Sequence, residues 1–341
     1  MEKYKLLSLG NKREMNIGDY IQALASSQFY PHIDGFVYRE QLKDYDEEDC
    51  NMIMNGWYMH DPTQWPPSPL IKPLFVALHI NTSVADILLS EEGAAYLKQY
   101  EPIGCRDYYT RDLLLGKGIQ AYFSGCMTLT LGKKYKSTFR DNSCYFVDPI
   151  IETPKSIGPL IKSFFTAVFH ARSIYIILKK RKRKSLADVI RTANFYRLYK
   201  RIFTKHVLES ATYISQQSEY YSKAFENDFE RLKEAERLVQ LYAKASLVVT
   251  GRIHCALPCL GLDTPVIYTA KKNPTKISSC RFGGIIELFN VMYCDEKSLD
   301  CDFDHNNKID IDNAPENKDL WKRYASDLTK KCENFIALTK Q

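Results

Sequence analysis

The residues with the greatest capacity for chemistry share one short run, LVVTGRIHCALP at 247–258. An apolar strand ends at Thr250, Gly251 permits close approach of a backbone, and Arg252 and His254 project just before a helix. A helix N-terminus presents free N–H groups and a partial positive charge, and arginine adds a two-pronged donor. Gly251, Arg252, Ile253 and His254 therefore predict a cradle for a phosphate or a carboxylate, the plainer alternative being an arginine in a surface ion pair. Three more polar residues fall at predicted strand ends: Asn55 in MNGWYMH, His79 in ALHI and Arg106 in GCRD. A single buried histidine is commonly a satisfied core residue, but several polar groups at one end of one sheet predict a cleft wall facing Arg252 and His254. Asn16, Gly18 and Asp19 open a helix, where Gly18 allows a tight turn and Asn16 or Asp19 serves as cap. There is no Walker loop and no GxGxxG, so nucleoside triphosphates and dinucleotides are not indicated.

These residues need a scaffold. The chain has 341 residues, 45% hydrophobic and 26% charged, which excludes disorder and collagen and suggests about two domains. Strands are predicted at 4–9, 51–55, 74–80, 103–106, 144–151, 211–215, 247–249, 266–268 and near 291. Helices are predicted at 17–29, 91–99, 107–117, 229–243, 254–261 and from Pro315 to about 338. Such alternation implies α/β architecture with mainly parallel sheets. The polar stretch 132–143 reads as the crossing between two Rossmann-like lobes that face a cleft, where ligands bind outside the carboxyl ends of the strands. The lobes are placed at 1–142 and 143–310, with a terminal helix in 315–341. Ten cysteines scattered singly suggest a reducing compartment, and Cys255 with Cys259, lacking a second pair, is a poor metal signal. The first ten residues lack the apolar stretch of a signal peptide, so the cytoplasm is expected.

The net charge of +6 is local. Residues 172–205 hold twelve Lys or Arg against the single acid Asp188. The apolar run 163–178 is interrupted by His170 and Arg172 and is shorter than the ~20 residues needed to span a bilayer. KKRKRK follows, and then a helical pattern with Phe195, Leu198, Tyr199, Ile202, Phe203 and Val207 on one face and Arg197, Lys200, Arg201 and Lys205 on the other. This basic amphipathic insertion, 163–208, reads as a surface for anionic membrane, with Lys179, Lys180, Arg181, Lys182, Arg183, Lys184, Arg197, Arg201 and Lys205 as docking cations. A solvated charge run and a nucleic-acid patch are the alternatives, the latter without any recognition module to accompany it.

Taken together, four segments resemble the polysaccharide pyruvyl transferase family: NIGDYIQALA (16–25), MNGWYM (54–59), PIGCRDYYTRDLLLGKGIQAYFSGCMTLTLG (102–132) and ASLVVTGRIHCALPCLGLDTPVI (245–267). The resemblance runs from about 16 to 289 and leaves out 172–205. It implies two lobes arranged as in GT-B glycosyltransferases, phosphoenolpyruvate as donor, and a sugar acceptor that receives pyruvate as a ketal. Carried over residue by residue, it places Arg252 and His254 at the donor, with Asn-x-Gly-Asp at Asn16, Gly18 and Asp19 and Gly-x-Arg-Asp at Gly104, Arg106 and Asp107. With one acid and one base required, His254 is assigned to the donor side and His79 to the acceptor side, the reverse remaining open; Arg106 completes the catalytic set. Asn16, Gly18, Asp19, Asn55 and His79 are expected on the acceptor side. Neither metal nor cofactor is called for beyond the co-substrate. The expected setting is cell-surface or capsular polysaccharide biosynthesis on a lipid-linked acceptor, at the inner face of the membrane. A nucleotide-sugar glycosyltransferase of GT-B type and an inactive membrane-docked binding protein are the alternatives.

Overall fold

The computed structural model describes residues 2–9, 15–274 and 280–340. Two parallel sheets carry the fold. The first has the order Cys50–Tyr58, Ile71–Ile80, Ile103–Cys105, Ala121–Phe123, all parallel. A parallel pair, Lys5–Ser8 with Gly35–Tyr38, adjoins it through one bridge between Tyr4 and Asn51. The second has the order Leu299–Cys301, Asn290–Cys294, Val266–Lys271, Leu247–Thr250, Cys144–Val147, Thr212–Ile214, antiparallel only at Leu299–Cys301. The central strands are continuous apolar runs because helices cover both of their faces.

The α/β reading and most element positions hold. The helix Ile17–Ser27 is capped by Asn16, whose side chain accepts from the Gly18 N–H, rather than by Asp19. Asp107 caps Tyr108–Gly116 by accepting from the Thr110 N–H. Five short strands escaped the sequence pattern, Met15–Asn16, Gly35–Tyr38, Ala121–Phe123, Gln217–Ser218 and Leu299–Cys301. The last helix begins at Trp321, not at Pro315. The segment before it is held extended: the Asn317 side chain accepts from the Val266 N–H and donates to the Thr264 carbonyl, while Asn290 donates to the Glu316 carbonyl.

One hydrophobic cluster joins the two sheets. It includes Ile17, Tyr20 and Leu24 of the first helix, Leu238 and Tyr242 of Asp228–Lys244, Leu257 and Leu260 of Ile253–Gly261, and Leu328, Cys332 and Ile336 of the terminal helix. All ten cysteines are free thiols, and eight are buried, Cys255 and Cys259 among them.

The basic segment requires a correction. Phe195, Leu198, Tyr199, Ile202, Phe203 and Val207 form the apolar face expected to meet lipid, but all are buried against the second sheet beside Phe146 and Val249. The helical run is also broken, into Leu186–Tyr199 and a short helix Lys205–Ser210 capped by Thr204. Several expected docking cations are used inside the fold. Arg181 donates to Thr192, Lys180 to the carbonyls of Ser210 and Ala211, and Arg197 to Asn194 and the Glu296 carbonyl, while Lys205 pairs with Glu209. Lys180 and Lys205 are nonetheless exposed, as are Lys179, Lys182, Arg183, Lys184 and Arg201.

Candidate functional site

A cavity of about 310 Å³ opens where strand ends of both sheets meet. Met15–Asn16 pairs antiparallel with Gln217–Ser218 beside it, bringing the first helix against the second half of the chain. Gly18 packs on His254 so tightly that a Cβ there would lie 2.9 Å from the His254 Cβ. Gly251 is needed for a similar reason, since its Cβ would come within 2.8 Å of the Asp148 carbonyl oxygen.

Four arginines line the cavity, Arg39, Arg106, Arg252 and Arg281, with Asp19 as the one carboxylate among the described lining residues. They are not equivalent. Arg39 is bound to Glu40 at 2.8 Å and stacks over Trp57. Arg252 donates Nε to Asp148 at 2.8 Å and Nη1 to Gln217 at 3.1 Å, which fixes its plane but shares its charge. Arg106 is buried, 3.9 Å from Asp107, and its Nε has no hydrogen-bond partner among the described residues. Arg281 is exposed at the cavity mouth and pairs with no carboxylate among the described residues; partial desolvation of its guanidinium and the charges of Arg106 and Arg252 lower its pKa. Cations gathered with too few carboxylates await an anion.

His254 sits among them. Burial first, then the charges of Arg106 and Arg281, hold its pKa well below the usual imidazole range. The ring is therefore neutral near pH 7, and its buried Nε2 has no hydrogen-bond partner among the described residues. Such an atom is an unfilled contact for a ligand.

His79 is reached by a different route. It is buried, does not line the cavity, and holds Nδ1 2.6 Å from Asp107 Oδ2 and 3.3 Å from Thr110 Oγ1. Burial and the Arg106 charge lower its pKa. Burial alone would raise Asp107, but its hydrogen bond to His79, the nearby cations and the Thr110 N–H lower it on balance. The pair is thus a carboxylate accepting Nδ1–H from a neutral imidazole, which leaves Nε2 as the ring's proton-accepting atom.

A family model for polysaccharide pyruvyl transferases matches residues 16–271. The chain belongs to that family. No curated protein and no solved structure matches it.

Within this family member, Asn16, Asp19, Arg106, Gly251, Arg252, Ile253 and His254 meet around this cavity. Asn55 lines a smaller neighbouring space with Asp19, Gln22 and Trp57, but its amide is taken by Ser26 and the Gln22 carbonyl. Gly18 contributes backbone closeness instead of a lining group. Sequence reasoning missed Arg39, Trp57, His60, Asp148, Gln217 and Arg281. Trp57 stood inside the quoted MNGWYM segment, and Asp148 directly follows an apolar strand, so both had a local cue. Arg39 and Arg281 had none.

Proposed function

We propose that this chain transfers the pyruvyl group of phosphoenolpyruvate to a sugar as a ketal, and that its halves act as GT-B-like lobes with the donor held at the second. The observation that carries the reading is the under-neutralised set Arg106, Arg252 and Arg281 around a neutral His254 with a vacant Nε2. Phosphoenolpyruvate bears a phosphate and a carboxylate close together, and only a site with several convergent cations desolvates both.

The chemistry balances with two protons. One sugar hydroxyl adds to the phosphate-bearing carbon and loses its proton as the methylene carbon takes one up. Inorganic phosphate then leaves, and a second hydroxyl attacks the same carbon and gives up its proton. His254 meets the phosphate and, once the donor's negative charge has raised its pKa, carries the proton for the methylene carbon. His79, oriented by Asp107 and set behind the cavity lining, takes the hydroxyl proton through an intervening water. Arginines carry the charge that grows on the leaving phosphate. Trp57, His60 and Asp19 line the side facing the first sheet, where the flat face of a sugar stacks on an aromatic ring. The acceptor is read as lipid-linked, in cell-surface or capsular polysaccharide synthesis at the inner face of the membrane.

The test is incubation with phosphoenolpyruvate and a panel of model and lipid-linked glycosides. Phosphate release matched by a mass gain of one pyruvyl ketal on a glycoside supports the reading. Release of a nucleotide from a nucleotide-sugar with no use of phosphoenolpyruvate rejects it in favour of glycosyl transfer.

A further inference from the structure

Helix Ile157–Phe169 is built inside out. Its buried residues are Ser163 and Thr166, and Ser163 hydrogen-bonds Asn194 of the neighbouring helix at 3.2 Å. Its outward face is Ile157, Leu160, Ile161, Phe164, Phe165, Val168 and Phe169, with Phe164 57%, Phe165 53% and Phe169 76% exposed. Soluble surfaces rarely carry a contiguous apolar patch of this kind without a partner.

The surroundings say what covers it. Positions 153–187 contain nine Lys or Arg and no Asp or Glu. Lys155 and Lys162 are exposed just before and on the helix, and Arg172, Lys179, Lys182 and Lys184 are exposed along and after the helix that follows it. A second copy of the chain seated symmetrically on this face would bring like charges together, whereas an apolar face rimmed by cations complements an anionic bilayer. The segment does not cross the membrane. The helix is 13 residues long, about 20 Å against a hydrocarbon core of roughly 30 Å. The next helix, Ala171–Lys180, turns away by 96° and buries Ile174, Ile177 and Leu178 in the protein.

We propose that helix Ile157–Phe169 lies in the interface of an anionic membrane, its phenylalanines among the lipid chains and the surrounding lysines and arginines at the headgroups. This refines the membrane setting of the reading above and rests on that part alone; it does not depend on the reaction. The helix is anchored near the site: the Glu296 carboxylate accepts from Lys155 N and Ser156 N at its start. Seven residues of chain, eight Cα-to-Cα steps, separate Ser156 from Asp148, the partner of Arg252, which bounds the distance at about 30 Å. A docked helix therefore holds the cavity within reach of an acceptor carried by the membrane.

Sedimentation of the full chain with phosphatidylcholine vesicles, with and without phosphatidylglycerol, tests this. Binding should be at least about tenfold stronger to the anionic vesicles and weaken steeply above about 0.1 M salt. F164S/F165S/F169S should lose about a hundredfold or more in vesicle affinity, since buried apolar area drives insertion, with no fall in Tm. K179Q/K182Q/R183Q/K184Q should lose binding to the anionic vesicles specifically. The phenylalanine variant should keep its full rate of phosphate release with a short soluble glycoside, so a failed docking and a failed reaction are read separately. Equal binding of wild type and the phenylalanine variant, absence of binding to anionic vesicles, a dimer in solution that the same variant dissociates, or RNA outcompeting the vesicles would each overturn the proposal.

Discussion

At the scale of single residues, the site is defined by how much of each cation is already spent. Arg252 shares its charge with Asp148, whereas Arg281 pairs with no carboxylate among the described residues and stands against other arginines. Removing either leaves a doubly anionic donor short of a charge-assisted pair worth about 1.5 to 3 kcal/mol. Arg252→Ala and Arg281→Ala should each weaken phosphoenolpyruvate binding by about tenfold or more, the loss at Arg281 being the greater. Titration calorimetry on the folded variants checks both, and unchanged affinity would remove the residue from the donor site. His254 makes a pH-dependent forecast. The unfolded chain accepts a proton at this residue near pH 6.5, while the folded chain resists it. Stability is therefore fully present above that pH and declines as the pH falls below it. His254→Gln should flatten the acid side of the Tm profile. A donor anion placed against His254 raises its pKa, so binding near neutral pH should take up protons in the wild type and not in His254→Gln; calorimetry in buffers of different ionisation enthalpy reads this directly. His79→Ala, by contrast, should leave donor affinity largely intact and abolish transfer. Equal loss of donor binding in both histidine variants would dissolve the division of labour between them.

At the scale of elements, the same residues are placed by turns and caps that cost little sequence. Asn16 caps the first helix while Gly18, its second residue, lies flat on His254. Gly18→Ala should keep the helix, alanine being the better helix former, yet push its Cβ into the His254 side chain. Donor affinity should fall with little change in Tm, and a variant with unaltered affinity would show that His254 has room to move. Much of this scaffold was legible: LVVT, CYFV and LFVALHI announce central parallel strands because both faces of each are covered. Asp107 and Asn16 announce caps. What could not be read was the destination of an amphipathic face. Phe195, Tyr199 and Phe203 recur with the period of a helix that buries one side, and periodicity does not distinguish a protein core from a lipid surface. The face that does remain open, on Ile157–Phe169, was obscured because its inward residues are small and polar, Ser163 and Thr166. Arg39 and Arg281 were invisible for a different reason, since their convergence on Arg106 and Arg252 is a long-range fact of the fold.

At the scale of the whole molecule, the two sheets share a core and a buried polar lock. Tyr20 from the first helix donates to Asp228 at 2.6 Å, Ser8 donates to its other oxygen at 2.9 Å, and the fully buried Arg231 donates to it at 3.1 Å. Arg231 also donates to the carbonyls of Tyr221 and Phe225, tying the helix Asp228–Lys244 to the loop that leads from the cavity. A carboxylate with donors from both halves couples them, because separating the halves strands Asp228 and Tyr20 without partners. Heat or denaturant should therefore unfold the chain in one transition, with tryptophan fluorescence, which reports on Trp57, Trp65 and Trp321, coinciding with circular dichroism. Asp228→Asn keeps the shape but leaves Arg231 buried without its counter-charge, a loss of about 3 to 5 kcal/mol for such a broken pair. The expected result is a lower midpoint, still with a single transition, and weaker phosphoenolpyruvate binding, because the cavity takes Arg106 from one half and Arg252, His254 and Arg281 from the other. If the wild type instead melts in two steps and phosphoenolpyruvate shifts only the second, the halves are independent and the donor belongs to one of them alone.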